Sequence, residues 1–182
     1  MIALIVAMRR YDRIIGIDGE IPWKIEGEQE QFKKLTKDNV VIMGRCTYEE
    51  IYKKLGRSLP GRVNIVVSGS GSGSFSRDEE AVITSSLEEA IKYAKKNHEG
   101  KNIYIAGGAR LYNKALESGI VDTMYITYIN QVKEKIRSDN IATFPVVMED
   151  MWDVHDYVDG DEENMKASGK YKRYVYKRKA NE

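Results

Sequence analysis

The chain has 182 residues, and 29 Lys plus Arg against 28 Asp plus Glu leave a formal net charge of +1 at pH 7. A balance that even creates no field to draw nucleic acid or an acidic membrane, so neither is expected as a partner. The lone Cys46 excludes an intrachain disulfide and a cysteine zinc cage, and with only His98 and His155 beside it no metal site is expected.

The length predicts a single domain over residues 1–182. A chain of this size buries about 70% of the surface its unfolded form exposes, enough for one core. The apolar run Ile2–Met8 lacks a basic leader and is too short to span a membrane, so it reads as a buried strand. One reduced cysteine and no leader fit a cytoplasmic setting.

Further strands are predicted at Val40–Met43, Val63–Val67, Ala81–Thr84, Ile103–Ala106 and Thr123–Ile129. Val40 to Met43 is apolar without alternation, as in a strand covered on both faces. Helices are predicted between them. The first, 26–37, has Phe32 and Leu35 on its apolar stripe; the second, 47–55, opens on the capping box Thr47-Tyr-Glu-Glu50 and closes at Gly56. The third, 86–97, opens on Ser86-Leu-Glu-Glu89, and the fourth, 109–117, stops at Gly119. Two last strands, Trp152–Val158 and Tyr171–Lys177, are joined only by the polar stretch beginning Asp159-Gly-Asp and are therefore antiparallel. The expected fold is α/β: a mostly parallel central sheet of about eight strands with an antiparallel C-terminal edge strand, and four helices on its two faces.

Several residues could carry chemistry. Glu28 shares the helical stripe of Phe32 and Leu35, where a carboxylate is costly unless it is paired or lies in a cleft. It equally suits the first turn of a helix, near the positive dipole end, as do Glu26 and Glu30. Before it, Ile21-Pro22-Trp23 is a rigid extended entry, and Trp23 reads as a packed aromatic or as an N–H donor. Met43-Gly44-Arg45-Cys46-Thr47 and Ile105-Ala-Gly107-Gly108-Ala-Arg-Leu-Tyr112 each run strand, glycine, helix start, a layout that admits a phosphate or simply makes a tight turn. The G-x-G-x-x-G fingerprint and the Walker lysine motif are absent. Cys46 has no histidine close in sequence and reads as a bystander. Ser68-Gly-Ser-Gly-Ser-Gly-Ser74 is either a surface loop or a turn presenting N–H groups to phosphate. Leu59-Pro60-Gly61-Arg62 is a turn, and Arg57 or Arg62 could fork onto a carboxylate. The six cations between Lys170 and Lys179, interleaved with Tyr171, Tyr174 and Tyr176, read as one solvated edge face.

Taken in order, Ile21-Pro-Trp23, an acid at 28 with Phe32, Val41-Ile-Met-Gly-Arg45-x-Thr47, Leu59-Pro-Gly-Arg62, Ile105-x-Gly-Gly-x-x-Leu-Tyr112 and Tyr125-Ile-Thr127 resemble dihydrofolate reductase. The match runs from residue 1 to about 145. The resemblance implies reduction of dihydrofolate to tetrahydrofolate by hydride transfer from NADPH. It implies that Glu28, Trp23 and Thr127 are catalytic, with Glu28 holding the pteridine amino edge and hydrogen-bonded by Thr127. Ile5, Ala7, Phe32 and Ile51 would wall the substrate, while Arg62, with Arg57 nearby, would bind its glutamate carboxylate. Ala7 and residues 14–20, among them Ile15, Gly16, Asp18, Gly19 and Glu20, would meet the nicotinamide as a mobile loop. Gly44, Arg45, Cys46, Thr47, Ser68, Gly69 and Ser85 would hold the adenosine side. Gly107, Gly108, Ala109, Arg110, Leu111 and Tyr112 would complete the cofactor site, Gly107-Gly108 taking the family's cis peptide.

The sequence departs from the family pattern in places. Tyr52-Lys-Lys-Leu55 resembles an insertion before Arg57, Gly69 replaces a serine with Ser68 or Ser70 left to substitute, and 131–143 is longer and more basic than usual. A monomer is expected. The other readings are a non-catalytic pterin- or nucleotide-binding protein and a related pyrimidine reductase of riboflavin synthesis.

Overall fold

The computed structural model describes residues 1–23, 27–69, 80–130, 137–159 and 171–180, with Glu28 and 156–159 described in backbone only. Its elements are β1 (Ile2–Arg9), β2 (Ile14–Ile17), α1 (Glu28–Thr36), β3 (Val40–Gly44), α2 (Arg45–Leu55), β4 (Val63–Val67) and β5 (Ala81–Thr84). These are followed by α3 (Leu87–Asn97), β6 (Ile103–Ile105), α4 (Ala109–Glu117), β7 (Thr123–Ile129), β8 (Ile141–Thr143), β9 (Trp152–Asp159) and β10 (Tyr171–Arg178).

Eight strands form one sheet in the order β5-β4-β3-β6-β1-β7-β10-β9. The six from β5 to β7 are parallel, β10 is antiparallel to β7, and β9 is antiparallel to β10. The expected α/β architecture is therefore present. Alternation along each strand gives the sheet two apolar faces. Leu4, Val6, Ile42, Ile105 and Ile126 lie with Leu87, Ala90 and Ala94 of α3 and Leu111 and Ala115 of α4 in one core. On the opposite face Ala3, Ile5 and Tyr104 pack with Phe32 and Leu35 of α1, and Val41, Met43 and Val66 pack with Tyr48 and Ile51 of α2.

The capping box at Ser86 forms: the Glu89 N–H donates to Ser86 Oγ at 3.1 Å. Its carboxylate accepts from the N–H and Oγ of Ser85 at 2.8 and 2.7 Å, one residue before the expected partner. The box at Thr47 does not form. β3 runs directly into α2, whose N-cap is the extended Gly44 with no side-chain cap, so Thr47 lies inside the first turn. α1 begins two residues later than expected, after Gly27 in a left-handed conformation (φ 80°).

Two strands escape the sequence reading. β2 and β8 form a small antiparallel ladder, with β2 entering a turn in which Ile17 and Glu20 exchange backbone hydrogen bonds of 2.9 and 3.0 Å. Asp18 and Gly19 between them both have positive φ (54° and 83°), the two-residue hairpin geometry that Asp-Gly favours. The stretch expected as a loop at 14–20 is thus a strand and tight turn. The runs Ile14-Ile-Gly-Ile17 and Ile141-Ala-Thr143 are too short and too broken for a periodic signal. The reading of Lys170–Lys179 as a solvated edge face also changes. β9 is the edge, β10 is interior to it, and Tyr171 and Arg173 are buried. Most of the Ser68–Ser74 loop, Ser70 included, the stretch after Asp159, Glu26, Lys170 and 131–136 lie outside the described residues.

Candidate active site

In an open parallel sheet the strand ends at the carboxyl side, with the loops that leave them, make the crevice where ligands bind. Here those ends carry Ala7 and Met8 (β1), Gly44 (β3), Ser68 (after β4), Ser85 (after β5), Gly107-Gly108 (after β6) and Thr127 (β7). In register, Ala7 pairs with Thr127 and Ile5 with Tyr125. These side chains therefore share the face that α1 covers.

Phe32 and Leu35 of α1 pack over Ala3, Ile5 and Tyr104. Burial, together with the neighbouring Tyr125, pushes the Tyr104 phenol up to about 12, so it stays neutral. Trp23 is buried against Ala7, Ile129 and Tyr171, while among the described residues its Nε1–H has no hydrogen-bond partner. The ring of Trp23 is thus packed, and its buried N–H is left over by the described residues. Glu28 is the first residue of α1, one helical turn before Phe32. Its side chain, and with it the expected bond from Thr127, falls outside the described residues; Thr127 itself is buried on β7.

Arg62 lies at the other end of α1. Its Nε donates to Thr36 Oγ1 at 3.2 Å and its Nη1 to the Pro60 carbonyl at 2.5 Å. Thr36 Oγ1 in turn donates to the Phe32 carbonyl at 2.6 Å, which ties the guanidinium to the helix bearing Phe32. Among the described residues Nη2 has no partner, leaving one arm of the fork available. Burial lowers the affinity of the Arg62 guanidinium for its proton, an effect the nearby Asp38 charge opposes. Arg57 is exposed after α2 and takes no part in this network. Ile51 and Phe32 both pack against the cluster of Val41, Tyr48 and Leu59.

The glycines bring two helix starts together. The Gly44 N–H donates to the Gly107 carbonyl at 2.8 Å, and Gly107-Gly108 is a cis peptide. A Cβ on Gly44 would lie 3.7 Å from Gly107 O and Gly108 N, and one on Gly108 would lie 3.5 Å from Thr47 Oγ1. Neither α2 nor α4 has a side-chain cap or an acid in its first turn, whereas α3 has Ser86, Glu88 and Glu89. Their positive ends remain open to an anion. Arg45 opens α2, its Nε 3.9 Å from Glu49, with Cys46 exposed beside it; Arg110 is exposed on α4.

Ser68 is buried and Gly69 exposed after β4, while the Ser85 hydroxyl is engaged by Glu89. Ile15 and Gly16 are half-buried on β2, and Asp18 accepts from Ser138 Oγ at 2.7 Å. Leu111 and Tyr112 turn inward: Leu111 sits in the core, and Tyr112 Oη donates to the Ile5 carbonyl at 2.8 Å.

The family model for dihydrofolate reductase matches residues 1–178. The chain belongs to the dihydrofolate reductase family. It is an enzyme of that family, an oxidoreductase of folate and tetrahydrofolate metabolism. The dihydrofolate reductase of Candida albicans is 33% identical over 153 residues, 80% of this chain and 77% of that protein. That of Aedes albopictus is 30% identical over 175 residues, 90% of each. The bifunctional dihydrofolate reductase-thymidylate synthase of Zea mays is 35% identical over 128 residues, 65% of this chain but only 24% of its own length.

Two residues that position the candidate site were missed in the sequence. Thr36 orients Arg62, and Asn64, buried on β4, accepts from the Leu59 N–H at 3.1 Å and donates to the Leu59 and Arg62 carbonyls at 3.0 and 3.1 Å. A buried asparagine in an otherwise apolar strand was the available signal.

Proposed function

We propose that the protein reduces 7,8-dihydrofolate to 5,6,7,8-tetrahydrofolate with NADPH, supplying one-carbon metabolism as a monomeric cytoplasmic enzyme whose single domain spans residues 1–182. The observation that carries this reading is the meeting of two open, glycine-led helix starts at Gly44 and Gly107-Gly108, beside a strand row containing Ile5, Ala7 and Thr127. That arrangement fits a dinucleotide's phosphates on one side and a flat ring on the other. Gly44 to Thr47 and Gly107 to Arg110 would hold the phosphates, with Arg45, Ser68 and Ser85 toward the adenosine end. Ala7 and the β2 turn, from Ile15 to Glu20, would flank the nicotinamide. When bound, NADPH supplies the hydride that adds to the pterin ring.

The chain's own residues bind, orient and manage the proton. Ile5, Ala7, Phe32 and Ile51 hold the ring and exclude water, while Arg62 takes the glutamate carboxylate with its free arm. Glu28 binds the pterin amino edge and supports protonation at N5, in a position steadied by Thr127. An acid near an apolar cleft retains its proton better than one in water, which suits the task.

The test is turnover of dihydrofolate with NADPH, read as loss of nicotinamide absorbance, in wild type and Glu28→Gln. Wild type is expected to turn over. Glu28→Gln keeps size and packing but should lose about 10² to 10⁴ in kcat at neutral pH, with residual activity rising as the pH falls. A Glu28→Gln variant with nearly wild-type kcat at neutral pH refutes the role. A wild type that does not turn over favours the binding-protein reading.

A further inference from the structure

Arg173 has no part in the mechanism above, yet it is a buried arginine on the site face. It is 8% exposed and stands on β10 opposite Thr127, which is itself opposite Ala7. Paired positions on adjacent strands project to the same face, so a guanidinium occupies the third place in the row Ala7–Thr127–Arg173. Its Nη2 donates to the Gly27 carbonyl at 2.7 Å, a bond between residues 146 apart in sequence. Its planar group lies 4.7 Å from the centre of the Tyr171 ring. Among the described residues its buried Nε has no hydrogen-bond partner and no carboxylate pairs with it.

A buried guanidinium is costly unless its charge is met. Its neighbours on the same face of β10, Tyr171 and Val175, show that a neutral side chain suits the strand. The carbonyl it holds belongs to the peptide bond leading into Glu28. We infer that Arg173 is a positioning residue of the catalytic centre. It ties the first peptide of α1 to the Ala7–Thr127 row and keeps a fixed positive charge next to the Glu28 position. This rests on the reading of Glu28 as the proton-handling group. The charged or titratable residues on the elements around the contact are Glu28, Glu30, Lys33 and Lys34 on α1, Tyr125 on β7, and Tyr171 and Lys177 on the same row of β10; on β1, Arg9 follows Ile5 and Ala7 on that face and is paired with Asp12 at 2.9 Å. A fixed cation there favours the ionised carboxyl, against the effect of burial, and so sets the pH at which turnover falls.

The experiment compares kcat against pH in wild type, Arg173→Lys, Arg173→Gln and Arg173→Met, at saturating NADPH and dihydrofolate. Lys keeps charge and donor, Gln a donor alone, Met neither. The alkaline fall of kcat should move up by about one pH unit or more in the Gln and Met variants and stay near wild type in Lys. An unmoved midpoint in Arg173→Gln, with only lower kcat or Tm, overturns the electrostatic role. So does a Lys variant that shifts as far as Gln. If Arg173→Met does not fold, the Lys–Gln comparison decides. Independently of turnover, the Tm losses of Glu28→Gln, Arg173→Gln and the double variant should be non-additive, and additive losses overturn the coupling. A wild type that oxidises no NADPH defeats the proposed function instead, and leaves this cycle to be read.

Discussion

Replacing Arg62 by alanine isolates how the site holds the substrate tail. The guanidinium is already oriented, by Thr36 Oγ1 at Nε and the Pro60 carbonyl at Nη1, before any ligand arrives. Little side-chain entropy is left to lose on binding, so a carboxylate meeting the remaining arm gains most of a charge-assisted bond, about 1.5–3 kcal/mol. Its removal should raise KM for dihydrofolate by about 10- to 150-fold. The tail is remote from the reacting atoms, so kcat should change little. Thr36→Val leaves the charge but releases Nε, and its effect should be smaller and in the same direction. The assay is steady-state turnover with dihydrofolate and with a dihydropterin lacking the glutamate tail. The tail-less substrate should be nearly indifferent to Arg62→Ala. Equal losses on both substrates would refute the reasoning and make Arg62 a brace between α1 and the Pro60 turn.

Other perturbations test separate parts of the structure. Arg45→Ala should weaken NADPH by more than tenfold while leaving NADH almost unchanged, measured by cofactor titration; equal losses for both would place the 2′-phosphate elsewhere. Tyr112→Phe strips the buried Ile5 carbonyl of its donor and should cost about 1–3 kcal/mol in urea unfolding, and an unchanged midpoint would mean the carbonyl finds another partner. Tyr104 binds its proton more tightly folded, near 12, than unfolded, near 10. Its contribution is therefore complete below about pH 10 and lost as the pH rises through about 12. Tyr104→Phe should flatten the alkaline fall of Tm, and an identical fall in both proteins would rule Tyr104 out as its source.

Regular elements follow from local pattern in this chain. Val40–Met43 reads as a strand covered on both faces and Ser86-Leu-Glu-Glu89 as a helix start, and both form, because hydrophobic period and cap chemistry act within a few residues. The alternation of strands and helices likewise carried the parallel sheet, and the ordered motifs from Ile21 to Thr127 carried the family. Where short signals compete with long-range geometry, the outcome changed. Thr47 has a proper capping box, yet α2 starts at Arg45 because β3 leads straight into it and Gly44 must approach Gly107. β2 exists because β8, more than a hundred residues later, supplies its hydrogen-bond partners. Arg173 reads as one more cation in a basic tail, and becomes a buried charge only because β9 takes the sheet edge and α1 closes over the row it joins. Side-chain period and capping are properties of neighbours in sequence, but burial of a charge depends on which strands lie beside it, and that is settled by the packed sheet.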